Sequence, residues 1–231
     1  MRVSIHQPNY LPWLGYFDKI IKSDVWVVFD DVQYPNGKNH YGNRNKIRTN
    51  TGDKTIAMHI NKHRMFRQFR DVELMHSNRL DLHKEYFETF YCKCPYYKDY
   101  KDDLFKAMEF QPFMMDVNMA IIKVIFDILD IKTEILYSSS LRAIGTGAVR
   151  IMNILKEIGA TSYVSGSGPG SLRYIFQQDF DDNNIELIWQ KYDHPVYTQR
   201  FEPFISHLTV MDLIFNHGPE SRKILLNEKE V

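Results

Sequence analysis

Cysteine is scarce: Cys92 and Cys94 are the only two in 231 residues. One intervening residue closes almost no loop, so a stabilising disulfide is excluded and reduced thiols are expected. Long apolar runs are missing as well. A membrane helix needs roughly 20 apolar residues, and the longest candidate, Met119 to Leu129, is broken by Lys123 and Asp127. The N-terminus carries no apolar signal region. These features together predict a cytoplasmic chain. Charge of one sign is absent, because 29 basic residues balance 29 acidic ones. That balance argues against nucleic acid as the partner. Standard zinc spacing is absent too. His59 and His63 stand four apart in a segment that reads as strand and turn, His76 and His83 are scattered, and no Cys-x-x-Cys occurs. No metal site is expected, and nothing names a cofactor.

What is present is an ordinary globular composition, 44% hydrophobic and 25% charged, on a chain long enough to bury a sizeable core. Arg2 to Ile5 reads as a strand, Leu14 to Ile21 as a helix entered through Pro12, and Val25 to Phe29 as a strand buried on both faces. This is a βαβ unit. Asp30 to Thr51 reads as a long polar loop. Thr55 to Ile60 and Arg70 to Leu74 read as short strands. From Asn78 to Leu129 the pattern is helical in about three segments, punctuated by Pro95 and Pro112. Thr133 to Leu136 is a strand, Gly147 to Ile158 an amphipathic helix closed by Gly159, Ser162 to Ser165 a strand, Ile185 to Trp189 a late strand and Thr209 to Phe215 a short helix. The expected fold is α/β: a mostly parallel Rossmann-like sheet flanked by helices, in a single domain over 1–231 with a helical insertion at about 78–130; two domains, with the helices packing independently, is the alternative.

Polar and aromatic side chains crowd the turn after the first strand. His6 is a candidate general base or acid. Gln7 and Asn9 can donate and accept, Tyr10 adds a hydroxyl, and Trp13 and Tyr16 could stack on a ring. A structural His6 tying the turn to a carbonyl is the competing reading. Asp30 and Asp31 end the second strand, where open α/β sheets place ligand-binding acids. Adjacent strand residues face opposite ways, so one acid is expected in the site. Gln33 and Tyr34 follow. Asn43, Arg44, Asn45 and Lys46 suit a diphosphate or carboxylate; a solvated basic loop is the alternative. Ser165, Gly166, Ser167 and Gly168 could cradle an anion with backbone amides, although neither a Walker nor a Rossmann fingerprint is present. His194, beside Asp193, and Tyr197 complete the candidates. His217 reads as a helix-end residue.

The motif His6-Gln7-Pro8-Asn9-Tyr10-Leu11-Pro12-Trp13-Leu14-Gly15-Tyr16-Phe17 is specific. With Phe29–Tyr34, Asn43–Ile47, Tyr163–Gly166, His194–Tyr197 and Asp212–Gly218 it resembles the WbqC-like proteins, a bacterial family associated with polysaccharide (O-antigen) gene clusters. The resemblance implies an enzyme of surface polysaccharide biosynthesis. The reaction expected is acyl or aminoacyl transfer to a nucleotide-linked amino sugar. His6 would take the proton of the attacking amine, Asp31 would orient that step and His194 would assist. Arg44, Lys46 and the loop 165–170 would hold phosphates, and Trp13, Tyr16 and Tyr34 would pack sugar or base. Two alternatives stay open. One is a nucleotidyltransferase-like ATP-using ligase, with Trp13 and Tyr16 standing where such enzymes carry two histidines. The other is a non-catalytic assembly or binding protein. A small-molecule substrate, nucleotide sugar or nucleotide, is the expected partner; a homodimer is admitted.

Overall fold

The computed structural model describes residues 1–231 except 36–39, 62–66, 76–78 and 229–231. His63, His76 and Asn78, named above, lie outside the described residues. The chain divides into two compact units.

The first unit comprises 1–7, 17–32 and 132–193. Its centre is a five-stranded sheet built from β1 (Arg2–His6), β2 (Val25–Val28), β5 (Glu134–Tyr137), β6 (Ser162–Ser165) and β7 (Glu186–Trp189). Every pairing is parallel, in the order β5-β2-β1-β6-β7. β1 is therefore the middle strand. The chain steps outward from it on one side through β2 and β5, then returns to its other side through β6 and β7. That reversal makes the gap between the C-terminal ends of β1 and β6 the topological switch point.

Right-handed crossovers in opposite directions put their helices on opposite faces. The helix α5 (Gly147–Glu157) covers the face on which Val3, Ile5, Val25, Val27, Tyr163 and Leu187 pack with Ile154, Leu155 and Phe180. Strand alternation turns Ser4 and His6 to the other face, which falls to α1 (Leu14–Ile21). Short helices α6 (Pro169–Tyr174) and α7 (Gln177–Asp181) lead from β6 to β7.

The second unit comprises 8–16, 33–131 and 194–231. It holds the hairpin β3 (Arg44–Thr49) and β4 (Gly52–Ala57), helices α2 (Arg79–Tyr91), α3 (Tyr97–Ala107), α4 (Met114–Ile128), α8 (Val210–His217) and α9 (Ser221–Leu225). The three helices of the expected helical block appear with Pro95 and Pro112 between them. Aromatic side chains fill the core here: Phe87, Tyr91 and Tyr97 surround Phe215 at centroid distances of 5.0–5.8 Å. Two expectations are corrected. The long polar loop contains β3, and Arg70 to Leu74 is a 3₁₀ turn at Phe69–Asp71 followed by single bridges rather than a strand. Among the described residues no helix is long and apolar enough to cross a membrane.

Candidate functional site

The C-terminal edge of the parallel sheet collects the chemistry of the first unit. His6 closes β1. Its Nδ1 lies 2.8 Å from the Gln7 carbonyl oxygen. A carbonyl only accepts, so Nδ1 carries the proton and Nε2 keeps the lone pair. The ring is half-buried, and burial, assisted by the positive charge of Lys19, pushes its pKa down to about 3. His6 is thus a neutral imidazole throughout the physiological range.

Beside it, register pairs Ser4 with Val164. One and two residues further along β6 come Ser165, whose side chain bonds the Gly166 carbonyl at 3.2 Å, and the half-buried Gly166. Ser167 and Gly168 are exposed. The end of β1 and the Ser–Gly loop therefore lie side by side at the switch point of one parallel sheet.

At the other side of β1, the two acids after β2 form a closed network. Asp30 is 2% exposed. Its Oδ1 accepts from the Ser138 hydroxyl at 2.9 Å and the Ser139 amide at 3.0 Å, and its Oδ2 from the Ser139 hydroxyl at 2.6 Å. Asp31 meets the same Ser138 hydroxyl and forms an ion pair with Arg150 of α5. Arg150 also donates to the Ser138 carbonyl at 3.2 Å. Both acids turn to one partner, not to opposite faces, because the strand has already ended at Val28. Ser138, Ser139 and Arg150 were not singled out from sequence.

Lys19 was not singled out either. It lies on α1, where every residue from Leu14 to Ile20 is buried. Lys19 is 3% exposed, and its Nζ lies 3.5 Å from the Ile5 carbonyl oxygen. Burial pushes its pKa down to about 7. The neighbouring Asp18 is paired instead with Lys22 at 2.5 Å and with Gln190 at 2.8 Å.

In the second unit, most of the candidates are woven into the fold. Tyr10 is fully buried with its hydroxyl 2.8 Å from His83 Nδ1. Asn9 is 5% exposed, and its backbone bonds the buried Tyr16 hydroxyl. Asn45, 1% exposed, donates to the carbonyl of Leu11. Leu11 has φ +45°, strained for a branched side chain; the Asn45 clamp holds that turn. Asn43 donates to the Met58 carbonyl at 3.0 Å and accepts from Arg44 at 3.3 Å. Lys46 is exposed and pairs with Asp53 at 3.0 Å. Tyr34 is 1% exposed against Phe69 and His40. Gln33 is exposed and forms a single bridge with Gln68.

Trp13 folds over Gly15, where an added Cβ would come within 2.2 Å of the indole. The indole stacks on His207 at 5.1 Å and on His194 at 6.4 Å. His194 uses both ring nitrogens: Nδ1 donates to the Pro195 carbonyl at 2.8 Å, and Nε2 accepts from the His207 amide at 3.1 Å. Neither is poised to move a proton. His217 donates to the Thr198 carbonyl at 3.0 Å.

Tyr197 donates to Asp212 Oδ2 at 2.9 Å, as does Gln199 at 2.9 Å. Burial of Asp212, against these bonds and the charge of Arg48, raises its pKa from 3.8 to about 6. Between those values the folded state holds a proton the unfolded chain has lost, so stability falls as pH rises through this window, by about 3 kcal/mol. Asp212→Asn is expected to remove that slope. Urea unfolding at pH 4 and pH 6 measures it; an unchanged slope places the titration elsewhere.

Among the described residues no three His, Cys, Asp or Glu side chains converge as a metal site.

The comparisons with known proteins agree with the motif. The WbqC-like protein family model matches residues 7–224. The chain is also 30% identical over 224 residues, 95% of each chain, to "Uncharacterized protein Rv1507c" of Mycobacterium tuberculosis (strain ATCC 25618 / H37Rv). No solved structure matches. The fold and edge-of-sheet chemistry define an α/β protein of the doubly wound type. The chain belongs to the WbqC-like family.

Proposed function

We propose that this chain catalyses acyl or aminoacyl transfer to the amine of a nucleotide-linked amino sugar in bacterial surface polysaccharide biosynthesis. One observation carries the reading: His6–Gln7 and the loop 165–168 end adjacent parallel strands at the switch point, where open α/β sheets take their ligands. In this reading the exposed amides of Ser167 and Gly168 receive phosphate oxygens. Gln7 orients a sugar hydroxyl or amide. His6 accepts through Nε2 the proton of the attacking amine. Asp30 and Asp31 shape the floor through Ser138 and Arg150 and do not move protons. The pathway comes from the family resemblance, and the exposure of the loop favours an anionic ligand.

A melting screen against nucleotides, nucleotide sugars, acyl-CoAs and folates tests the binding half. A ligand at 100 times its dissociation constant stabilises by about 2.7 kcal/mol, roughly 5–10 °C for a chain of this size. No shift with any nucleotide-bearing compound sinks the reading. For the chemical half, His6→Ala is expected to lower turnover by about 10²–10⁴-fold with an unchanged melting temperature; mass detection of the acylated sugar reads it. Nucleotidyl transfer by an ATP-using ligase would use the same loop. Pyrophosphate release from a nucleoside triphosphate distinguishes it.

A further inference from the structure

Lys19 is a buried cation for which the described residues provide no ion-pair partner. It is 3% exposed and donates weakly to one carbonyl, that of Ile5, at 3.5 Å. Asp18, next to it, spends its carboxylate on Lys22 and Gln190. Among the described residues no ion pair involves Lys19. Taking an ammonium out of water without a partner is costly, and a methionine would fill the same space without that cost. A second buried polar group lies two residues before His6 on β1. Ser4 is fully buried, and its hydroxyl has no hydrogen-bond partner. Ser4 and His6 share the face of β1 that α1 covers, and the carbonyl Lys19 touches is the one preceding His6. Two costly polar groups therefore stand beside the imidazole at the switch point, where such groups are found when they serve chemistry.

We propose that Lys19 is an electrostatic gate on His6: an ammonium at Lys19 opposes an imidazolium at His6, and loss of the Lys19 proton makes it easier for His6 to accept one. The proposal rests on the group-transfer reading above. In that step the sugar amine attacks the carbonyl carbon of an activated acyl donor, a thioester or acyl phosphate. The N–C bond forms and the C–S or C–O bond breaks. The leaving group departs with the electron pair, and the nitrogen's proton passes to His6 Nε2 and from there to the leaving anion. A charged Lys19 opposes the imidazolium in the middle of that sequence; a neutral amine does not. Lys19 acts through His6, so it is a positioning residue rather than a catalytic one.

The polar and titratable groups next to this pair along the chain include Ser4 on β1, Gln7 just after it, and Tyr16, Asp18 and Lys22 on or beside α1. After β7 come Gln190, bonded to Asp18, and Tyr192, whose phenol is held un-ionised by burial and by Asp18. Asp18 is ion-paired with Lys22. Lys19 is thus the group whose charge state changes near neutrality, since burial brings it down to about 7.

Two measurements test the gate. In NMR titrations of histidine-labelled protein, the His6 ring in Lys19→Met is expected to titrate about one unit higher than in the native chain. Lys19→Arg keeps the charge and leaves His6 where it is. An unmoved His6 in Lys19→Met overturns the proposal without reference to activity. In pH–rate profiles, with UDP- and dTDP-linked amino sugars as acceptors and acetyl-CoA or aminoacyl thioesters as donors, native turnover is expected to rise with pH through about 7. Lys19→Met loses that rise and is about ten-fold faster than the native chain at pH 6, whereas Lys19→Arg is slow at every pH. A merely structural lysine would give no gain at low pH. An unaltered profile in Lys19→Met overturns the gate alone. No transfer by the native chain with any of these pairs overturns the reaction assigned above, and the gate's part in it, while the His6 titration still reports the coupling.

Discussion

Lys19→Met is expected to melt well above the native protein at pH 7. The native ammonium loses its proton at about 7 in the folded state, against 10.5 for an ordinary lysine. That difference corresponds to roughly 4 kcal/mol of destabilisation at neutral pH, at 1.36 kcal/mol for each unit. The sign follows from proton counts. Below pH 7 both states are charged and the folded state bears the full burial cost. Between 7 and 10.5 the unfolded chain binds a proton that the folded state lacks, so native stability rises with pH across that window. Methionine removes the cost and the slope together. For a chain of this length the gain is on the order of 10 °C. Urea unfolding at pH 7 and pH 10 checks it: the two proteins should differ most at pH 7 and converge by pH 10. Equal stability at pH 7 would mean that Lys19 reaches water or a partner.

A residue whose removal stabilises the fold is informative about function, because selection has no folding reason to keep it. The same logic separates Lys19 from Asn45. Asn45 is as deeply buried and as polar, but its amide holds the left-handed Leu11 turn and its carbonyl oxygen accepts from the Lys46 amide at 2.8 Å. Its polarity is fully used by the fold.

These two residues also mark where sequence stops being legible. β1, β2, β6 and α1 were readable because their apolar runs or helical spacing report burial directly. The helices α2, α3 and α4 were readable because Pro95 and Pro112 punctuate them. β3 was not, since its buried alternation runs through Asn45, Ile47 and Thr49, and two of those three look like loop residues. Lys19 sits within the apolar pattern of α1, and a one-dimensional pattern cannot distinguish a lysine that extends to water from one that is enclosed. The aromatic and amide residues of the N-terminal motif were visible as a cluster. Their division into those that face the sheet edge and those that bind the chain to itself depends on distant partners: His83 for Tyr10, and Asn118 for the carbonyls of Pro8 and Gly42.

The acids after β2 illustrate the same limit and yield the other large effect. Asp30 and Asp31 were legible as a pair at a strand end, but their partners lie more than 100 residues away, on Ser138, Ser139 and Arg150. Two adjacent carboxylates share one serine hydroxyl, which has a single proton to give. Arg150 is the cation that makes this arrangement tolerable; its side chain is 10% exposed and that of Asp31 16%. Arg150→Ala therefore leaves two neighbouring, poorly hydrated negative charges with serine hydroxyls and one amide but no cation to compensate them. The expected loss is about 3 kcal/mol, the range for breaking a buried pair from one side. Asp31→Asn in the Arg150→Ala background removes one of the stranded charges and recovers part of that loss, while Asp31→Asn alone is mildly destabilising because it strands the guanidinium. Urea unfolding of the four proteins gives the coupling directly. A coupling of a few kcal/mol identifies the network as the clasp that fixes the ends of β2 and β5. Additive effects would mean that Arg150 and Asp31 act separately, and would return Asp31 to the candidates for direct contact with substrate.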